Sequence, residues 1–317
     1  MKVGIPIRVG VIGVGALGQH HARIYSDLPE SKLVAVVDPQ VDRAREVAAR
    51  FGCEWFCSHG EMIDRVEAVS VAAPTRDHAS IGMDFLRRGK HVLLEKPMTQ
   101  IVSEADDLIE IQRRGSCVLQ VGHSERFNSA LRAIQPLVTR PQFFEAHRLG
   151  VFTPRSLDID VVLDLMIHDL DLVLHLVDAA VGEIRAVGIP VVTPQVDIAN
   201  ARLEFENGCV ANLTASRVSR EKVRKLRFFQ PHDYVSVDFD REQVEMFSLS
   251  QEGGAGKVID RKLEVHTAEP LKLEIQAFLS AVSGETLEPD QQRGCSAEEG
   301  RRALALALEV LDVIRSR

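Results

Sequence analysis

The sequence predicts an α/β protein: an N-terminal doubly wound parallel sheet, then an α+β domain with a large open, mostly antiparallel sheet. Three observations carry that expectation. Short β-branched runs alternate with helical patterns up to about residue 122. From about Gln142 the strands lengthen and alternate apolar with polar side chains, as in Ala199, Ala201, Leu203 and Phe205 against Asn200, Arg202, Glu204 and Glu206. Asn207-Gly208 then supplies a hairpin turn between two such strands. At 317 residues the chain is long enough for two domains, expected at 1–122 and 123–317, with the last helix able to pack back on the first.

The first strand, Arg8-Val9-Gly10-Val11-Ile12, runs into Gly13-Val14-Gly15-Ala16-Leu17-Gly18, and a helical pattern follows from His20 to Leu28. A second strand, Leu33 to Val37, ends in Asp38, twenty positions after Gly18. That layout is a dinucleotide-binding fingerprint of the Rossmann type. The first glycine allows the tight turn, the second lets a pyrophosphate approach the backbone, and the third lets helix and strand pack closely. Helix N–H groups and the partial positive charge of the helix start then face the phosphates. Asp38 can accept from both ribose hydroxyls and would repel a 2′-phosphate, so NAD is favoured over NADP, although Arg43 and Arg45 lie within reach.

Helix 41–51 ends near Gly52, and Glu54-Trp55-Phe56 reads as a short strand. Strand 68–73 is stopped by Pro74, helix 77–88 is closed by Gly89, and strand 91–95 leads to Lys96-Pro97. Helix 103–114 and strand 117–121 complete this half. Ligands of such sheets bind beyond the carboxyl ends of the strands. Those ends carry the glycine loop, Asp38, Pro74-Thr75, Glu95-Lys96-Pro97 and Gly122-His123. In the second half, strands are expected at 143–149, 184–192, 198–206, 208–218, 222–229, 234–239 and 258–266, with a turn at 251–256 and helices at 160–177, 270–282 and 296–317.

Composition narrows the partners. A net charge of −8 argues against nucleic acid and anionic membrane surfaces, and one Trp with two Tyr offers no base-stacking platform. No apolar run reaches membrane-span length, and the glycine-interrupted N-terminus does not read as a signal peptide. Among five scattered cysteines, Cys53 and Cys57 are four apart but no second ligand pair sits nearby, which argues against zinc and fits reduced thiols in the cytoplasm.

Helix 160–177 is mostly apolar, yet Asp160, Asp164, His168, Asp171 and His175 follow spacings of four, four, three and four and share one stripe. Buried carboxylates and imidazoles must be paired or functional. A solvated face with satisfied histidines is the plain alternative, and Asp171 and His175 fit it.

Gly13–Gly18, Asp38, Pro74-Thr75-Arg76-Asp77-His78, Glu95-Lys96-Pro97-Met98 and Asp164-x-x-x-His168-Asp169 together resemble the glucose–fructose oxidoreductase / inositol dehydrogenase / MocA family, in the right order across nearly the whole chain. The resemblance implies an NAD(P)-dependent dehydrogenase acting on CH–OH groups of a sugar or cyclitol, with the sheet of the second domain (123–317) covering the substrate and forming a homodimer or homotetramer interface. It implies Lys96, Asp164 and His168 as catalytic residues. It also implies cofactor contacts from Gly13, Gly15, Ala16, Leu17, Gly18, Asp38, Pro74, Thr75, His78, Glu95 and Lys96. The chemistry agrees: removing hydride from an alcohol carbon needs a base for the hydroxyl proton, for which imidazole suits, and a cation for the developing alkoxide, for which lysine suits. No metal is required.

His123-Ser124-Glu125-Arg126-Phe127-Asn128 is similar to the branch oxidising the 3-hydroxyl of UDP-N-acetyl amino sugars, as is the segment from Phe152 through Arg155 to Asp160. Substrate contacts are therefore expected from Lys96, His123, Arg126, Phe127, Asn128, Arg155, Asp164 and His168. Arg126, Arg148 and Arg155 are the cations offered to a diphosphate, with structural ion pairs as the alternative. The second basic cluster, Arg217 to Arg227, reads as a solvated strand edge. Two other functions remain open: a free-sugar or inositol dehydrogenase, and a cofactor-binding regulatory protein without catalysis.

Overall fold

The first apolar run forms β1 (Ile7–Ile12), and the glycine loop leads into α1 (Gly18–Asp27). In chain order follow β2 (Ser31–Val37), α2 (Val41–Phe51), β3 (Glu54–Phe56), β4 (Ala68–Val71), α3 (Thr75–Arg87), β5 (His91–Glu95), α4 (Val102–Gly115) and β6 (Leu119–Gly122). This computed structural model describes residues 5–153, 159–250, 257–285 and 292–316. The six strands pair in parallel in the order β6-β5-β4-β1-β2-β3, so sequence order reverses beside β1, where a doubly wound sheet opens a crevice for ligand. The α2 helix ends as its glycine foretold, with Gly52 left-handed at φ 67°.

After β6 come α5 (Ser129–Ile134) and β7 (Phe143–Leu149), then α6 (Ile167–Leu176), entered through a π-helical turn, Val162–Met166. The strands β8 (Val181–Ile189), β9 (Ile198–Phe205), β10 (Val210–Ser216), β11 (Val223–Gln230), β12 (Asp233–Asp238), β13 (Gln243–Ser250) and β14 (Lys257–Lys262) complete a second sheet. Its order is β14-β13-β12-β11-β7-β10-β9-β8, and only β7 and β10 run parallel. The expected alternation of β9 is present: Ala199, Ala201, Leu203 and Phe205 are buried. Helix α7 (Pro270–Ser283), a two-residue strand β15 (Cys295–Ser296) antiparallel to β6, and α8 (Ala297–Arg315) end the chain.

The chain divides into two units: Met1–Ser124 with Leu271–Arg301, and Glu125–Pro270 with Arg302–Arg317. In the first, Ile275, Phe278 and Leu279 of α7 join the core formed by Ile24 and Tyr25 of α1 and Val9 and Val11 of β1. In the second, the inner faces of β7, β9, β10, β11 and β12 pack with α6 and with Leu306, Val310 and Leu311 of α8.

Three elements depart from the expectations. Strand β13 was not foreseen, although its Val244-Glu245-Met246-Phe247 alternation is legible once a partner strand is known. Strand β15 is too short to show a period, and it adds an antiparallel edge to the otherwise parallel sheet. Residues 160–177 are not one α-helix, since the π turn widens the helix where Asp164 sits. The expected turn at 251–256 lies outside the described residues.

One loop of the second unit carries a pH dependence. Asp197 is buried, and its Oδ2 accepts from the N–H groups of Val191, Val192 and Thr193 at 2.7–2.8 Å, while the Thr193 hydroxyl donates to Oδ1 at 2.7 Å. Burial pushes this carboxyl up, but those donors more than offset it and leave it at about 2. Because the folded-state value lies below the unfolded one, the stabilisation is complete above roughly pH 4 and is lost as pH falls toward 2. Asp197→Asn is therefore expected to lower Tm at pH 7, with the gap to wild type narrowing at pH 3.5. A gap of equal size at both pH values, measured by calorimetry, would contradict this account.

Candidate active site

The turn after β1 shows why glycine is needed at its first and third positions. Gly13 has φ +80°, and a Cβ there would lie 2.7 Å from the Ala72 carbonyl oxygen and the Ala73 nitrogen. A Cβ on Gly18 would collide with the Gly13 carbonyl, so α1 can start this close to β1 only without one. Gly15 instead faces open space, with only Arg43 Nη1 at 3.9 Å from where its Cβ would stand. Ala16 and Leu17 are exposed beside it, and no side chain among the described residues caps the start of α1. An open backbone at the middle glycine and an uncapped helix N-terminus suit a pyrophosphate.

Asp38 ends β2 at the same rim. Its Oδ2 accepts from the Val14 N–H at 3.1 Å and from Arg43 Nη1 at 3.2 Å, and its Oδ1 accepts from the Gln40 N–H at 2.9 Å. Oδ1 keeps a lone pair for a ribose hydroxyl. Of the two cations within reach of a 2′-phosphate, Arg43 is held by this carboxylate and Arg45 lies over the Trp55 ring, 5.3 Å from its centroid. The residues present therefore fit NAD.

Pro74 stands at the N-cap position of α3 without a side-chain hydrogen bond, and Thr75 opens the helix. His78, one turn on, is buried with Nδ1 3.0 Å from the Pro97 carbonyl and Nε2 2.9 Å from the Ala73 carbonyl. It ties the Pro74 turn to the segment after β5. In that segment Lys96 is half-buried between buried neighbours, followed by a cis Lys96-Pro97 bond. Glu95 is buried and accepts from the Lys96 N–H at 3.3 Å. Burial raises its carboxyl, but the hydrogen bond and charge of His21, and the Lys96 charge, more than offset this and leave it lowered. His123, after β6, is buried.

In the second unit the stripe separates by role. Asp164, in the π turn, and His168, in the first turn of α6, are half-buried. Asp160 is buried: its Oδ1 accepts from the Val196 N–H at 2.9 Å and its Oδ2 from Arg315 at 3.0 Å. Asp171 accepts a bidentate pair from Arg126, at 2.8 and 2.6 Å, with both side chains buried. His175 Nε2 accepts from the Gln135 amide at 3.1 Å. Asp169, just past His168, takes a second fork from Arg148 at 3.0 and 2.8 Å, and Arg148 also reaches Glu125 at 2.9 Å. Burial works against the Arg148 charge, and Asp169 and Glu125 more than offset it.

These pairs settle where two of the proposed diphosphate cations go. Arg126 and Arg148 are committed to internal carboxylates, because an uncompensated charge there would be strongly unfavourable. Phe127 is core, and Asn128 caps α5 through Ala130 while donating to the Phe239 carbonyl at 3.2 Å. Arg155 lies outside the described residues. The basic cluster dissolves pairwise: Lys222 with Asp240, Arg224 with Glu125 and Asp240, Lys225 with Asp238, and Arg227 with Glu145; Arg217 faces Asp197 and donates to the Ile159 carbonyl.

Sequence reasoning missed His21 and the Arg148–Asp169 fork. A signal existed for the first. Gly18, His21, Ala22 and Tyr25 fall on the inward side of α1, where a histidine needs a buried partner.

Residues 7–123 match a family described as an oxidoreductase family with an NAD-binding Rossmann fold, and residues 139–230 match the C-terminal domain of the same family. The chain is 40% identical over 309 residues to a UDP-N-acetylglucosamine 3-dehydrogenase of Acidithiobacillus ferrooxidans, covering 96% of each. A solved structure of UDP-N-acetylglucosamine 3-dehydrogenase from that organism superposes with a TM-score of 0.90 at 39% identity, covering 99% of each chain. A myo-inositol 2-dehydrogenase of Thermotoga maritima is 26% identical over 320 residues, 95% of this chain and 94% of the other. With the glycine turn, the Asp38 rim and both domains matched in order, the chain belongs to the Gfo/Idh/MocA family of NAD-binding oxidoreductases.

Proposed function

We propose that the chain is an NAD-dependent dehydrogenase that oxidises the 3-hydroxyl of a UDP-N-acetyl amino sugar, UDP-N-acetylglucosamine first among them. The observation that carries this reading is the likeness to a UDP-N-acetylglucosamine 3-dehydrogenase over 96% of both chains. When bound, nicotinamide supplies the hydride acceptor. His168 takes the hydroxyl proton, Asp164 orients the imidazole or the hydroxyl, and Lys96 donates to the oxygen as negative charge grows on it. The products are the 3-keto sugar, NADH and one proton.

Gly13, Gly15, Ala16, Leu17, Gly18, Asp38, Pro74 and Thr75 serve the cofactor, while His78 and Glu95 shape that rim from below. Lys96, His123, Asp164, His168 and Arg155 serve the sugar nucleotide. Arg126, Phe127 and Asn128 act through the framework they build, since all three are buried. The test is NAD reduction with UDP-N-acetylglucosamine against free N-acetylglucosamine and myo-inositol. Turnover of a free sugar or inositol, with none of the nucleotide sugar, would overturn the substrate. No turnover of any of them would favour a regulatory role.

A homo-oligomer formed through the second sheet is part of the reading. On its outward side, Phe143, Phe229, Tyr234 and Phe247 make a cross-strand aromatic row with centroids 5.1–5.7 Å apart. Such a row at an exposed face suits burial against a second copy. Phe229→Glu is expected to shift the mass measured by light scattering toward the monomer; an unchanged mass would remove this face from the interface. No helix among the described residues is long and apolar enough to cross a membrane, and all five cysteines are unbridged, in keeping with a cytoplasmic enzyme.

A further inference from the structure

Beneath the Lys96 turn runs a chain of buried side chains that the catalytic roles above do not use. His21 and Tyr25 stand one turn apart on the inner side of α1, Ser70 comes from β4 and Glu95 from the end of β5. His21 Nε2 lies 3.0 Å from Glu95 Oε1, His21 Nδ1 lies 3.1 Å from Ser70 Oγ, and the Tyr25 hydroxyl lies 2.8 Å from the same Oγ. All four residues are buried.

The proton between His21 and Glu95 can be placed. Glu95 as a carboxylate only accepts, so His21 donates to it from Nε2. On its other side, His21 Nδ1 and the Tyr25 hydroxyl both meet the Ser70 hydroxyl. Burial holds the Tyr25 phenol protonated by pushing it up, and the nearby Glu274 charge on α7 adds to that. The charged groups of this chain and those facing it are thus His21 and Glu95, with Lys96 and Glu274 beside them.

The far end of the chain holds backbone. Glu95 Oε2 accepts the Lys96 N–H, and on the other side of Lys96 the Pro97 carbonyl meets His78. Strand β6 leaves the space for this carboxylate: a Cβ on Gly122 would stand 3.0 Å from both Glu95 oxygens. Lys96 is the half-buried member of a segment otherwise fixed on both flanks.

We propose that His21 is a positioning residue: by holding the Glu95 carboxylate beneath the Lys96 backbone, it fixes where the Lys96 side chain meets the substrate oxygen. The proposal rests on the assignment of Lys96 to that oxygen. A residue that merely filled the core would, when replaced, lower stability without changing how kcat depends on pH.

The sign of the pH effect follows from Glu95. Its carboxyl is held low, so it stays ionised well into acid and the turn keeps its anchor. Without His21, burial acts with less opposition, the carboxyl rises, and the anchor is lost as pH falls through the new value.

The experiment measures kcat and KM for UDP-N-acetylglucosamine at saturating NAD from pH 5 to 9, per folded enzyme, in His21→Met, His21→Gln, Gly122→Ala and Lys96→Met. His21→Met is expected to lose roughly ten- to a hundredfold in kcat at neutral pH and to gain an acid limb that wild type lacks, with KM changing much less. His21→Gln, whose amide can donate in place of Nε2, is expected to recover most of kcat and move the limb back. Gly122→Ala crowds the carboxylate without touching His21 and is expected to lower kcat in the same way, which keeps the test alive if His21→Met does not fold. A wild-type pH profile in His21→Met or Gly122→Ala, beside an inactive Lys96→Met, would overturn the positioning role alone. A fully active Lys96→Met would instead overturn the assignment of Lys96, and the positioning role with it.

Discussion

Asp171→Ala is expected to lower the unfolding free energy by about 3–5 kcal/mol, because it leaves the buried Arg126 guanidinium without its carboxylate. The fork between them is short and both partners are only 2% exposed, so water cannot take over the lost hydrogen bonds. At roughly 2–4 °C per kcal/mol for a body of this size, Tm should drop by about 10 °C. The double variant Arg126→Met/Asp171→Leu removes both charges at similar volume and is expected to recover most of that loss. Thermal or urea unfolding of wild type, the single variant and the double variant decides it. A double variant as unstable as Asp171→Ala would mean that the pair contributes more than mutual neutralisation. A single variant within 1 kcal/mol of wild type would place Arg126 in contact with water or with a second acid, and would reopen it as a ligand for a diphosphate.

That pair also marks where the sequence stopped being legible. The first unit was readable because its signals are local. A glycine turn, an acid at the end of the second strand and a proline after a lysine each declare their geometry within a few residues. The spacing of Asp160, Asp164, His168, Asp171 and His175 was visible too, but spacing only says that side chains share a stripe. It does not say which are paired. Asp171 and Asp169 found arginines 45 and 21 positions away, and His21 found Glu95 74 positions away. Such partners are set by the packing of elements, which no local pattern encodes. The π turn escaped for a related reason, since Val162 to Met166 are as suited to an α-helix as to a wider one.

The same sorting sharpens the catalytic expectation. Asp160, Asp169 and Asp171 are buried in structural pairs, whereas Asp164 and His168 are a half-buried acid and imidazole at the start of α6. His168→Ala is expected to lower kcat by about 10²–10⁴, the range for loss of a general base, with kcat/KM falling in step. Lys96→Met should lower kcat by about 10²–10³ through loss of the charge opposite the developing alkoxide. Neither change touches the glycine turn or Asp38, so NADH affinity, read by its fluorescence, should stay within a few-fold of wild type. If both side chains serve one proton transfer, the double variant will be far less impaired than the product of the two single losses, because the second removal acts on a step already disabled. Losses that multiply would assign the residues to separate steps. An active His168→Ala would pass the base role to another group, Asp164 being the first to replace.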